Sequence, residues 1–231
     1  MAIFSVVVVT AAPAGQGAEA GGAFVKIEGR EALLRSVELF LNRENIKQIQ
    51  LVVPADAMEE AKHKYGAHLG FSGVKLVAGG PRWLDQAAAA AKNIAPEATH
   101  VILHDAARPA VAFSDIDALL EEAPRHEAVV MTAPIRSTLV EVDEGGNAMA
   151  YHLPNSFVQL LTPQSFSKAK FLAMTASGRE IHPSEVTLLK GSPLNIRIGG
   201  SGDAGLAKVM LHMLPKPKIK PSSGPFEEAQ W

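Results

Sequence analysis

The sequence predicts an α/β protein built around a mostly parallel sheet, and three observations carry that expectation. Short β-branched and aliphatic runs recur at Val6–Val9, Thr99–Leu103 and Ala128–Met131, the pattern of strands buried on both faces. Other segments place apolar residues at helical spacing, as at Leu33, Leu34, Val37 and Leu41. The 231 residues are 47% hydrophobic, ample material for one core.

Composition narrows the function classes. A formal net charge of -2 offers no electrostatic footprint for nucleic acid. The chain has no cysteine, so it forms neither disulfides nor thiolate metal sites. The apolar start, Met1–Val9, is too short to span a bilayer and lacks the basic flank of a signal peptide. It reads as the first buried strand of a soluble, cytoplasmic protein with no membrane partner.

In chain order, Val6–Val9 is followed by thirteen residues, Thr10–Gly22, dominated by alanine and glycine. Small residues after a first strand let backbone N–H groups approach a phosphate, although a plain flexible connector has the same composition. Glu31–Leu41 reads as a helix, Gln48–Val53 as a second strand ended by Pro54, and Asp56 as a cap for the helix carrying Met58 and Ala61. Val74–Val77 is a third strand running into Ala78–Gln86, with an alanine-rich helix from Ala87 to Ala91.

Thr99–Leu103 then breaks at His104-Asp105-Ala106-Ala107-Arg108-Pro109, the stretch around which the chain is organised. A carboxylate and a guanidinium at the C-terminal end of a buried strand stand where open α/β sheets bind ligands. Two alanines let a ligand come close to the backbone, and Pro109 turns the chain away from helix. Taken alone, this spacing also describes an ordinary Asp–Arg surface pair.

Ser114 and Asp115 read as an N-cap pair for a helix over Ile116–Ala123. Alternation from Thr138 to His152, broken by Asp143-Glu144-Gly145-Gly146-Asn147, reads as a β-hairpin. Thr162 and Gln164 are expected to pin a turn, Lys168–Met174 to be a helix, and Leu194–Ile198 a late strand. Asp203–Leu214 closes the fold as a helix, and residues 215–231 form a tail rich at first in Pro, Lys and Ser. The domain is thus expected over 1–214, with an arm at about 136–155.

His104–Pro109 and Thr162-Pro163-Gln164-Ser165-Phe166, with the order of elements around them, resemble the 2-C-methyl-D-erythritol 4-phosphate cytidylyltransferase family. The resemblance implies a three-layer, doubly wound sheet of the nucleotide-diphospho-sugar transferase type with a projecting β-hairpin arm. It implies transfer of a cytidylyl group from CTP, or use of another nucleotide, onto a phosphorylated small-molecule acceptor, in isoprenoid precursor synthesis.

By the same resemblance, Ala11, Ala12, Ala14, Gly15 and Gly17 cradle the triphosphate, and Gly79, Gly80, Arg82 and Gln86 face the cytosine and ribose. Asp105 holds a magnesium ion or the ribose. Arg108 and Arg197 face the substrate phosphate, and Thr138 serves from an arm that clasps a second copy in a homodimer. The family's loop arginine and lysine have no counterpart in register; Gly22 stands at the lysine's place, with Lys26 and Arg30 nearby. The arm arginine is replaced by Asn155, and the late aspartate by His182 or Pro183 beside Glu185. A non-catalytic relative that binds a nucleotide or a protein partner is the other reading of these replacements.

Overall fold

The computed structural model describes residues 1–13 and 21–215. The strands are β1 Phe4–Val9, β2 Lys26–Ile27, β3 Arg30–Glu31, β4 Ile46–Pro54, β5 Val74–Gly79, β6 His100–Asp105, β7 Ala128–Pro134, β8 Leu139–Val142, β9 Ala148–His152, β10 Val158–Ser167 and β11 Thr187–Lys190. The helices are α1 Ala32–Glu38, α2 Met58–Phe71, α3 Trp83–Ala91, α4 Phe113–Glu122, α5 Lys168–Ser177 and α6 Ala204–Met213.

Seven strands form one sheet in the order β11-β7-β10-β6-β1-β4-β5. All neighbours pair in parallel except β10, which runs antiparallel to both β6 and β7. The expected mostly parallel, doubly wound α/β fold is therefore the observed one. Its cause is visible in β1, where alternate valines enter opposite cores. Val6 and Val8 pack with residues of α1, α2 and α4 on one face. Val7 and Val9 pack with Trp83, Ala87, Phe171 and Met174 of α3 and α5 on the other. Burial on both faces removes any reason for polar alternation, so the strand reads as a continuous apolar run.

The chain leaves β1 for β4 and β5 on one side and later returns to β6 on the other. The C-terminal ends of β1 and β6 thus flank a topological switch point, where sheets of this class open a crevice. A third small core of Ile27, Ala32, Ile198 and Ala207 fastens β2, α6 and the segment after β11 near this edge.

Several local expectations change. Thr162–Phe166 is not a turn but the middle of β10, where the register shifts between Leu160 and Gln164. The irregularity accommodates Pro163, which has no N–H to give a ladder. Leu194–Ile198 is not a strand; it crosses the rim of the sheet, and the strand is the shorter β11 before it. Its hydrogen bonds go to loops instead, as from Ile198 N to Ala107 O at 2.8 Å.

Asp56 lies in a 3₁₀ turn before α2 and makes no capping hydrogen bond, and neither Ser114 nor Asp115 caps α4, which begins after Ala112. Asp115 instead accepts from Ser192 N at 2.7 Å, tying α4 to the segment after β11. Asp203 accepts from Gly199 N at 2.7 Å. The β8–β9 hairpin forms as expected and leaves Val142, Met149 and Tyr151 exposed. Among the described residues, no helix is long and apolar enough to cross a membrane. Residues 216–231 of the expected tail lie outside the described residues.

Candidate functional site

Asp105, the last residue of β6, is wholly buried, and the groups around it come from two segments, the turn that follows it and the late segment carrying Arg197. Its Oδ1 accepts from Ala107 N at 2.9 Å, and its Oδ2 accepts from Arg197 Nε at 2.9 Å. Arg108 Nε stands 3.8 Å from the same Oδ2, while Arg108 Nη1 donates to the Asn195 carbonyl at 2.8 Å. Asn195 Nδ2 in turn donates to Thr162 O at 2.7 Å. Three expected site residues, Asp105, Arg108 and Arg197, therefore meet at one point, which holds two guanidinium groups against one carboxylate.

The turn after β6 is held from behind by His104. Its Nε2 lies 3.2 Å from the Arg108 carbonyl and its Nδ1 3.0 Å from Thr162 Oγ1. A carbonyl only accepts, so Nε2 carries the proton and Nδ1 accepts from the Thr162 hydroxyl. Thr162 Oγ1 is then free to accept from Asp105 N at 3.1 Å. Burial lowers the His104 pKa to about 3, with the Arg108 charge acting in the same direction, which keeps the ring neutral and this chain of donors intact.

Burial pushes the Asp105 carboxyl up from the usual aspartate range, and Arg197 is the foremost of the groups pulling it back. Arg108 is lowered by burial, with Asp105 opposing. Sequence reasoning expected Thr162 to pin a turn by hydrogen bonds, which it does at the end of β6, but missed His104 as its partner. The available signal was a histidine inside an otherwise apolar strand, which burial forces to find partners.

The segment after β1 runs beside this turn, with Ala106 N donating to Val9 O at 2.8 Å. Thr10 N and Ala11 N both donate to Gln86 Oε1, at 2.8 and 3.1 Å, while Gln86 Nε2 donates to Gly80 O at 3.2 Å. Gln86 is completely buried. The two glycines beside it are sterically required: a Cβ on Gly79 would lie 2.8 Å from Val52 Cγ1, and one on Gly80 2.7 Å from Asp85 Cβ. Of the expected loop residues, Ala11 and Ala12 are partly buried here, while Ala14, Gly15 and Gly17 lie outside the described residues. Arg82 is drawn away, exposed and paired with Asp85 through two hydrogen bonds of 2.9 Å.

Gly22, which the resemblance matches to the family's lysine position, packs against the late segment. A Cβ there would lie 1.8 Å from Ile198 O and 3.3 Å from Ala107 Cβ. The candidate substitute cations are engaged elsewhere. Lys26 approaches Glu31, and Arg30 pairs with Glu38 and contacts His68. Thr138 is exposed at the base of the hairpin and makes no hydrogen bond to Asp105 or the arginines among the described residues. His182 is exposed and contacts Ser184, and Glu185 pairs with Lys170.

This donor set does not fit a magnesium ion held by protein carboxylates. Among the described residues no three His, Asp or Glu side chains converge. Asp105 already accepts from a guanidinium and a backbone N–H, with a second guanidinium beside it.

Residues 5–213 match a family model described as 2-C-methyl-D-erythritol 4-phosphate cytidylyltransferase, IspD. A protein of that name from Vibrio vulnificus (strain YJ016) is 30% identical over 207 residues, covering 81% of this chain and 85% of that one. Another from Haemophilus ducreyi is 26% identical, covering 84% and 89%. In fold, the chain is similar to the crystal structure of 4-diphosphocytidyl-2C-methyl-D-erythritol synthase from Anaerococcus prevotii, with a TM-score of 0.73, 18% identity and coverage of 91% and 96%. The crystal structure of the cytidylyltransferase from Thermus thermophilus gives a TM-score of 0.70 at 22% identity, covering 89% and 98%.

Proposed function

The chain belongs to the 2-C-methyl-D-erythritol 4-phosphate cytidylyltransferase family, and on that premise we propose that it transfers a cytidylyl group from CTP to a phosphomonoester acceptor, with pyrophosphate leaving. The acceptor of the family's name, 2-C-methyl-D-erythritol 4-phosphate, is the substrate we assign. The observation that carries this reading is Arg197. It spends only Nε on Asp105, and its terminal nitrogens make no hydrogen bond among the described residues. A guanidinium has five N–H donors in a planar fork that matches phosphate oxygens.

In the proposed reaction a phosphate oxygen of the acceptor attacks the α-phosphorus of CTP. The new P–O bond forms as the bond to the bridging α–β oxygen breaks, and that oxygen keeps the electron pair. Arg197 and Arg108 place the acceptor phosphate and offset the repulsion between two anions. Asp105 holds Arg197 through Nε, which leaves the terminal nitrogens for the acceptor phosphate. Such positioning and charge stabilisation are what phosphoryl chemistry asks of a protein. Homodimerisation through the arm belongs to the same reading, since exposed Val142, Met149 and Tyr151 offer a second copy an apolar surface.

One observation favours a second reading, a non-catalytic relative that binds a phosphate-bearing ligand. The backbone contact at Gly22 leaves no room for a side chain, and Gly22 is the position the resemblance matches to the family's lysine. The two readings separate in one assay. The purified full chain is incubated with CTP, magnesium and 2-C-methyl-D-erythritol 4-phosphate, and pyrophosphate is measured. Release that depends on the acceptor and is lost in Arg197→Gln supports transfer. Absence of release, with CTP binding detected by calorimetry, supports the second reading and overturns the first.

A further inference from the structure

Gln86 satisfies, from inside the protein, a set of backbone groups that also suits a ligand. Its Oε1 receives the N–H groups of Thr10 and Ala11 and lies 3.4 Å from Thr10 Oγ1. Its Nε2 donates to Gly80 O and lies 3.3 Å from Thr10 Oγ1. One carboxamide thus joins the segment after β1 to the segment after β5, both at the C-terminal edge of the sheet. Two consecutive N–H donors beside a carbonyl acceptor, the first of them shared with Val52 O at 3.2 Å, complement a planar amide or amidine edge. The cytosine edge has that array, with ring acceptors next to an exocyclic amino donor.

We propose that the Gln86 carboxamide is a built-in competitor for the base of the nucleotide, and that this residue sets how tightly the base is held. The inference rests on the nucleotide-dependent reading above and deepens it. A base can engage Thr10, Ala11 and Gly80 only after Gln86 has given up at least four polar contacts. Since Gln86 is wholly buried, its side chain also fills the volume the base edge would enter. Leaving buried polar groups unpaired is costly, so the self-contact persists until a ligand replaces it atom for atom. A shorter side chain removes the competitor and opens the space together.

Cytidine, which carries no phosphate, isolates this half of the site. The full chain and its Gln86→Ser and Gln86→Ala variants are titrated with cytidine by calorimetry, with folding checked by thermal melts. Both variants are expected to bind cytidine at least tenfold more tightly than the parent. Gln86→Glu keeps the length and the acceptor and is expected to show no such gain. Equal or weaker binding in the folded short variants overturns the proposal, as does a tenfold gain in Gln86→Glu. Failure of both short variants to fold also overturns it, because Gln86 is then a structural strut. Titration involves no turnover, so the outcomes separate: a cytidine gain without pyrophosphate release defeats only the transfer reading, and release without a gain defeats only this one.

Discussion

Arg197 Nε and Asp105 Oδ2 lie 2.9 Å apart although 92 residues separate them in the chain. Asp105 is wholly buried and Arg197 nearly so, which makes the pair unlike the exposed ion pairs elsewhere on the molecule. Breaking a buried pair from one side strands a charge, at a cost of about 3–5 kcal/mol. Because Arg108 remains 3.8 Å from the same oxygen, Arg197→Met is expected near the lower end, about 3 kcal/mol. Urea denaturation measures it, and adding Asp105→Asn is expected to restore much of the loss. In the pyrophosphate assay Arg197→Gln is expected to lower the rate about 10²–10³-fold, the effect of removing one charge-stabilising donor.

Gly22 gives a steric prediction. A methyl group there meets the Ile198 carbonyl at 1.8 Å, and neither partner is a flexible side-chain end. Gly22→Ala is expected to destabilise the fold by about 3 kcal/mol, at the upper end of ordinary overpacking, read as a lowered thermal midpoint. Gly22→Lys is expected to do at least as much harm, so a lysine at this position lowers stability without raising the rate of pyrophosphate release.

Thr162 donates to His104 and accepts from the Asp105 backbone with one oxygen. Thr162→Val leaves both of those groups buried without it, at about 1–3 kcal/mol each. Thr162→Ser keeps the hydroxyl and is expected to lose much less. The comparison by chemical denaturation tests the hydroxyl rather than the volume.

His104 supplies a pH prediction. Its folded pKa, about 3, lies below its ordinary value of 6.5, so between these limits the unfolded chain binds a proton that the folded chain does not. Stability is therefore expected to fall as pH drops from 6.5 toward 3. This one group contributes a slope approaching about 1.4 kcal/mol per pH unit. His100, also lowered by burial, acts in the same direction. Urea midpoints at about pH 7, 6 and 5 for the parent and His104→Gln check it; the variant is expected to show the shallower decline over this range, above the main carboxylate titrations.

The strands buried on both faces were legible because burial leaves a plain mark. Val6–Val9 and Val101–Leu103 have no polar alternation to confuse the reading. The hairpin was legible because Asp143–Asn147 carries strong turn chemistry. β10 was hidden by Pro163, which argues against a central strand until the register shift around it is seen. β11 was hidden by its length and edge position, and Leu194–Ile198 imitated it with the alternation of Leu194, Ile196 and Ile198. In the site, Asp105, Arg108 and Arg197 were found from their motifs and do meet. The inward turn of Gln86 was not legible, because its partners are backbone groups and carry no residue signature.

The ladder order also sets when the pieces can come together. β1 leaves the ribosome first, yet its two neighbours in the sheet are β4 and β6, so it waits for about half the domain to be made. Asp105 waits longer still. At roughly 5–20 residues per second, the 92 residues before Arg197 take about 5–20 s to synthesise. Until then the nascent chain lacks the guanidinium that offsets its interior acid, and the finished rim of the sheet is among the last features the growing chain can complete.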